Sequence, residues 1–300
     1  MLPTPLQKIT NSLIRHCGVQ LYIKREDLNH PTIQGNKYRK LIYNLAKTKQ
    51  EKKEKIVTFG GAFSNHIYAV AAAGEAFGFQ TVGVIRGERP PVLNPTLSFA
   101  ESKGMQLHFV SRTAYRRKME AEFFRDLEAT FGDFFLLPEG GSNALAVQGC
   151  TEIVSEIDIP FDYLCSAVGT GGTLAGLIVG SNNMGKVLGF PALKGGDFLY
   201  DDINQLLGDK ANLYQNWELV TDYHFGGYAK FKMELIDFMN QFKQSFGIAL
   251  EPIYTGKMLY GIFNLLEQGY FEKGATIIAI HTGGLQGVRG FNQRFGDILL

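Results

Sequence analysis

At 300 residues the chain is long enough for one large or two modest domains, and 45% hydrophobic with 20% charged residues is ordinary for a folded globular protein. A formal charge of +1 gives no electrostatic case for nucleic acid or an anionic membrane as partner. Cys17, Cys150 and Cys165 are odd in number and form no CxxC pair, which argues against a disulfide framework and fits a reducing cytoplasm.

Pro3 and Pro5 break any basic-then-apolar layout of a signal peptide at the start. "KIVTFGG" (55–61) then predicts a short buried strand ending in glycines, followed by an alanine-rich helix from Asn65 to Phe77. A strand over 80–85, a helix over 94–103 and a strand over 105–110 follow, with a charged helix through 116–130. "FFLLPEGGS" carries a strand into a loop, and apolar residues recur at helical spacing over 144–157. "YLCSAV" (163–168) is a strand that enters a glycine loop, with a helix from Thr173. The uncharged stretch from 163 to 185 holds too many glycines and asparagines for a membrane span. Phe231, Leu235, Phe238 and Phe242 mark one face of a late helix, and "TIIAI" (276–280) is a last buried strand. The basic clusters at 52–56 and 115–120 carry interspersed glutamate and read as solvated helix faces.

Strand–helix alternation of this kind means a mainly parallel sheet with helices on both faces. No internal repeat and no low-complexity linker occurs, so a second domain is an excursion from the first.

The strongest local signal is strand "DYLCSAV" running into "GTGGTLAGL". Open α/β sheets bind ligands at the carboxyl ends of their strands, where a glycine turn aims backbone N–H groups and a helix dipole at an anion. Gly169, Gly171 and Gly172 permit close approach, and Thr170 and Thr173 add hydroxyls. The G-x-G-x-x-G fingerprint fails at Leu174, and no Walker sequence is present. A small phosphorylated cofactor fits; a tight turn without a ligand would leave the same sequence.

"GGAFSNHIYAVAAAG" repeats the layout, with Ser64 and Asn65 either capping the helix or facing a carboxylate. Tyr254 and Thr255 precede a predicted helix, and "HTGGLQG" follows the last strand. The six histidines lack metal-ligand spacing, so no metal is expected, and Ser64 has no partners for a hydrolase triad.

The ordered segments "KREDL", "GNKYRKL", "GGAFSNH", "PEGGSN", "VGTGGTLAGL", "PIYTGK" and "HTGG" run from residue 24 to 284. As a set they resemble the D-cysteine desulfhydrase and 1-aminocyclopropane-1-carboxylate (ACC) deaminase family. That family belongs to the fold type II, tryptophan-synthase β group of pyridoxal 5′-phosphate (PLP) enzymes. The resemblance implies two three-layer α/β/α domains with mainly parallel sheets. The smaller (41–141) is inserted into the larger (1–40 plus 142–300), with PLP in the cleft between them. It implies a small amino acid as substrate and a homodimer.

By the same resemblance, Lys37 forms the Schiff base with the cofactor and Lys40 contacts its phosphate. Gly169, Thr170, Gly171, Gly172 and Thr173 form the phosphate cradle. Asn65 meets the cofactor's phenolic oxygen. Ser64, with the adjoining N–H groups and His66, receives the substrate carboxylate. Tyr254 and Tyr228 stand beside the substrate. Thr255 faces the pyridine nitrogen where ACC deaminases have glutamate, and Thr282 adds a second hydroxyl. A hydroxyl partner leaves that nitrogen largely neutral, which favours β-elimination from D-cysteine over ring opening of ACC. A non-catalytic PLP or phosphate-ligand protein is the reading of a different class. Phe63 stands where the family commonly has glutamine, which puts the side chain accepted by the pocket in question.

Overall fold

The computed structural model describes residues 2–300. Among the described residues, ten strands form two sheets. The larger contains β1 (Leu6–Ile9), β2 (Gln20–Lys24), β7 (Tyr163–Val168), β8 (Lys186–Pro191), β9 (Trp217–Leu219) and β10 (Thr276–Ile280). Their order is β1-β2-β10-β7-β8-β9, with only the edge strand β1 antiparallel to its neighbour. The smaller sheet is parallel throughout, in the order β5-β4-β3-β6, from β3 (Lys55–Gly60), β4 (Gln80–Arg86), β5 (Gln106–Val110) and β6 (Phe135–Leu137).

Twelve α-helices accompany them among the described residues. The first six are α1 (Ser12–Cys17), α2 (Asn36–Gln50), α3 (Asn65–Phe77), α4 (Pro95–Ser102), α5 (Arg112–Arg116) and α6 (Ala121–Phe131). The rest are α7 (Ala144–Ser155), α8 (Gly172–Ser181), α9 (Leu199–Leu207), α10 (Met233–Phe246), α11 (Thr255–Glu267) and α12 (Gln286–Phe295). No helix among the described residues is long and apolar enough to cross a membrane.

The central strands β3, β4, β7, β8 and β10 are buried on both faces, as parallel sheets require. Leu164, Cys165, Ile277 and Ile278 are fully enclosed between helices α7 and α8 on one side and α10 and α11 on the other. Burying each such side chain contributes roughly 1.5–3 kcal/mol. The small sheet has its own two cores, one under α3 and α4 around Ile67 and Leu97, the other under α6 around Phe59 and Leu127. Helix α2 bridges the two layers: Leu41 and Leu45 enter the small-sheet core while α7 packs along its length. A domain limit between residues 40 and 41 therefore falls inside α2.

Two differences from the sequence reading have local causes. The helix expected over 116–130 is broken into α5 and α6. After Tyr115 the backbone bonds shorten to a three-residue reach, Arg117 N–H to Ala114 O and Glu120 N–H to Arg117 O, and Glu120 is extended. Phe231 lies ahead of α10, and its ring packs on Phe291 and Phe295 of α12, 4.9 and 5.0 Å away, rather than continuing the α10 face. Strands β1, β2, β8 and β9 were not anticipated; β1 and β9 are only 4 and 3 residues long, too short for a period to show.

Candidate functional site

The carboxyl ends of both sheets face one cavity of about 610 Å³, within the range of small-molecule sites. The loops after β7 and β10 line it from the large sheet, and the loops after β3 and β6, with Arg86 at the end of β4, from the small one. Neighbouring strands β10 and β7 are where the order of the large sheet turns, so the crevice opens at a topological switch point.

Lys37 enters from the first turn of α2. Gly35 makes this possible: its φ is +71°, and a Cβ there would lie 1.9 Å from the Thr282 carbonyl oxygen. The start of α2 is thereby pinned to the loop after β10, with the Asn36 N–H donating to that same carbonyl at 3.2 Å. The Lys37 amine donates to Asn36 Oδ1 at 3.2 Å, and Asn36 Nδ2 donates to Thr173 Oγ1 at 2.8 Å. Burial pushes the Lys37 amine down to about 8, with the Cys150 thiol and the Glu251 carboxylate opposing the shift.

One turn on, Lys40 is 2% exposed. It donates to Gly140 O and Ser142 Oγ, both at 2.8 Å, and reaches Thr170 Oγ1 at 3.4 Å. Burial, then the like charge of Lys37, push it down to about 7. The N-terminus of α8 arrives beside it. A Cβ on Gly172 would come within 3.0 Å of Lys40 Nζ, so only glycine lets the amine stand against the helix start. Gly169, Thr170, Gly171, Gly172 and Thr173 all line the cavity, with Gly171 left-handed at φ 77°.

Ser64 is the N-cap of α3, its Oγ accepting from the N–H groups of His66 and Ile67 at 3.2 and 3.3 Å. Those two N–H groups are thus engaged by the cap, and the Ser64 hydroxyl hydrogen remains. Asn65 lines the cavity, its Oδ1 accepting from Gln286 Nε2 at 2.8 Å. His66 is buried. Thr58 Oγ1 donates to Leu137 O and lies 2.8 Å from His66 Nε2, so it accepts from Nε2–H and leaves Nδ1 a bare acceptor. Burial, with Lys37 and Lys40 nearby, holds the ring neutral, well below its ordinary value. With Nε2–H engaged and Nδ1 bare, the ring offers a carboxylate no donor.

Tyr254 and Tyr228 meet edge to face in the cavity wall, with ring centroids 6.1 Å apart. Burial holds the Tyr254 phenol well above its ordinary value, so it stays protonated. Thr282 lines the cavity beside Lys37. Thr255 does not. It is fully buried at the start of α11, its hydroxyl accepting from the Glu251 N–H at 3.0 Å and lying 3.3 Å from Glu251 Oε1. Glu251, four residues earlier, does line it. Its carboxylate accepts from the N–H groups of Ile253, Tyr254 and Thr255 at 2.9, 2.8 and 2.6 Å, and burial raises its pKa against those bonds.

Asn36 and Glu251 were missed in the sequence. A carboxylate followed by proline just before a helix start is a recognisable capping signal, and "EPIYTGK" carries it. Asn36 offered only its place beside Lys37. Phe63 lines the cavity mouth, and its ring would touch a Cβ on Gly290 of α12 at 3.4 Å.

These residues fit a small phosphate ester that carries an aldehyde. Two buried amines without a carboxylate in contact, next to a glycine-opened helix start, ask for an anion. Lys37, the more weakly hydrogen-bonded of the two, is free to react as an amine.

Residues 1–283 match the family of pyridoxal-phosphate dependent enzymes. Relatives include the mitochondrial bifunctional D-cysteine desulfhydrase/1-aminocyclopropane-1-carboxylate deaminase of Arabidopsis thaliana, 30% identical over 96% of this chain and 77% of its own. The 1-aminocyclopropane-1-carboxylate deaminase of Bradyrhizobium diazoefficiens is 27% identical over 98% of this chain and 95% of its own. A solved structure of an ACC deaminase homologue superposes with a TM-score of 0.86 at 29% identity, covering 99% of this chain and 94% of that one. The chain therefore belongs to the pyridoxal-phosphate dependent enzymes of fold type II, and PLP is its cofactor.

Proposed function

We propose that the protein is a lyase that converts D-cysteine, or a similar β-substituted small amino acid, with water to pyruvate, ammonia and the β-leaving group, sulfide in the case of D-cysteine. The observation that carries this reading is Lys37, an amine set in the cavity wall whose pKa is lowered to about 8. Near neutral pH such an amine takes up and returns protons readily.

PLP supplies an aldehyde for amino groups and a ring that withdraws electron density from the α-carbon. Lys37 would hold the aldehyde, and Lys40 with residues 169–173 the phosphate. Asn65 and Thr282 would meet the ring. Ser64 can donate its hydroxyl hydrogen to the substrate carboxylate. Lys37, once freed by exchange with the substrate's amino group, would take the proton at Cα, and protonated Tyr254 can give its phenolic hydrogen to the departing sulfur. The names of the relatives support the same substrate class.

ACC deamination to 2-oxobutanoate and ammonia is the second reading, favoured by one observation. The cavity is lined by the Glu251 carboxylate and not by Thr255. A carboxylate favours a protonated ring, the stronger electron sink that ring opening demands. Release of pyruvate or 2-oxobutanoate from D-cysteine, L-cysteine and ACC decides between them. Turnover of ACC well above that of D-cysteine overturns the first reading. A yellow protein that turns over none of these amino acids is a PLP-binding protein without this chemistry.

Domain limits of 1–40 plus 142–300 and 41–141, a homodimer and a cytoplasmic location complete the proposal. The three free cysteines are in keeping with that compartment.

A further inference from the structure

Lys257 is a lysine for which the proposed chemistry has no use. It lies on the first turn of α11, three residues after Tyr254, and is 2% exposed. Its ammonium donates to three backbone carbonyls: His224 O and Gly227 O at 2.9 Å, and Ala192 O at 3.4 Å. No carboxylate forms an ion pair with it among the described residues, so its direct partners are backbone carbonyls.

The acceptors belong to the loop between β9 and α10 and to the segment that follows β8. The loop is backbone-strained. Phe225 and Ala229 hold φ of 53° and 55°, with Gly226 at 92° and Gly227 at 119°. Non-glycine residues in such conformations cost about 1–3 kcal/mol each, so the surroundings must hold the loop in place. Its beginning is held by Tyr223, whose hydroxyl donates to Asn264, and by Phe225 against Tyr260 with centroids 4.9 Å apart. Between Phe225 and Phe231, which packs on α12, Lys257 holds the loop, and the residue directly after its acceptor Gly227 is Tyr228, which faces Tyr254 across the cavity wall.

We propose that Lys257 is a positioning residue: it fixes the loop through the carbonyls of His224 and Gly227 so that Tyr228 stands against Tyr254 and the bound amino acid. One turn of α11 would then set both tyrosines, Tyr254 through its own backbone and Tyr228 through the ammonium of Lys257. The catalytic part of this proposal rests on the lyase reading; the anchoring part does not.

The test combines Lys257→Met, Tyr228→Phe and the double variant, all as PLP-loaded protein. Hydrogen exchange of residues 222–230, the visible cofactor absorption and kcat/KM on the amino acid turned over are measured. Lys257→Met should speed exchange in 222–230 at least tenfold and keep the cofactor band. It should lower kcat/KM by up to about 100-fold, the scale of a misplaced group. In the Tyr228→Phe background the same substitution should cost little more, because its effect runs through Tyr228. Should Lys257→Met fail to fold, Gly227→Ala displaces the same carbonyl from the loop side, where φ of 119° disfavours a side chain. It should give the same pattern. Unchanged exchange in 222–230 overturns the anchor, and equal losses with and without Tyr228 overturn the route through that tyrosine. If no amino acid is turned over, the lyase reading fails while exchange still judges the anchor.

Discussion

Within one turn of α2 the protein buries cations in two opposite ways. Arg39 meets carboxylates at every nitrogen: Glu26 at 2.9 Å, Glu156 at 2.7 Å and Glu152 at 3.4 Å. Lys24 joins the same network at 2.8 Å from Glu156. Burial works against the Arg39 charge, yet the bonds to Glu26 and Glu156 override it and hold the guanidinium above its ordinary value. Lys37 and Lys40, on either side of Arg39 in sequence, have hydroxyls, an amide and a carbonyl for partners and no carboxylate in contact. Burial wins there and both amines are pushed down. A buried cation with its counter-charge supplied by the protein is part of the scaffold. One without it is a place where a ligand supplies the charge.

The largest effect should come from removing the reactive amine. Lys37→Ala should abolish the visible absorption of the PLP-loaded protein and lower kcat by about 10²- to 10⁴-fold or more, the worth of a general base. A yellow band of wild-type intensity in that variant would break the distinction between the two kinds of cation. Arg39→Met should instead act on stability, costing about 3–5 kcal/mol by stranding buried Glu26, read as a lower denaturant midpoint. The fraction that remains folded should keep its cofactor band.

Stability against pH sharpens the comparison further. In the apoprotein Lys37 and Lys40 have folded-state values of about 8 and about 7 against an ordinary 10.5. The unfolded chain therefore holds more protons between about 7 and 10.5, and stability should rise with pH across that window. The deficit is fully present below about 7. Inorganic phosphate or PLP should flatten the rise by favouring the charged amines; a stability curve unchanged by either would count against an anion site here.

Lys40→Gln should produce the smallest effect. Loss of one charged donor is worth about 1.5–3 kcal/mol, so the Kd for PLP should rise by about 10- to 100-fold, with activity recovering at saturating cofactor. Loss of activity that excess PLP does not restore would place Lys40 in the chemistry instead.

Much of the frame was legible because it is written in local chemistry. Strands β3, β4, β5, β7 and β10 are short apolar runs ended by glycine or polar turns, and α3 and α7 announce themselves by cap and period. The break between α5 and α6 was not, since it depends on a helix end that no proline or glycine marks.

Within the candidate site, residue types and their order along the chain already determined that an amine, glycine turns and hydroxyls would gather at strand ends, because parallel sheets bring those ends together. Tertiary structure alone decided which atoms face the cavity. Thr255 turns inward to Glu251, Ser64 spends its lone pairs on a helix start, and Nδ1 of His66 is left bare because Thr58 accepts from Nε2. The same holds for α2. Lys37, Arg39 and Lys40 are all cations in sequence, and their opposite electrostatic fates depend on Glu26, Glu152 and Glu156, brought into or kept out of contact by the packing of distant segments.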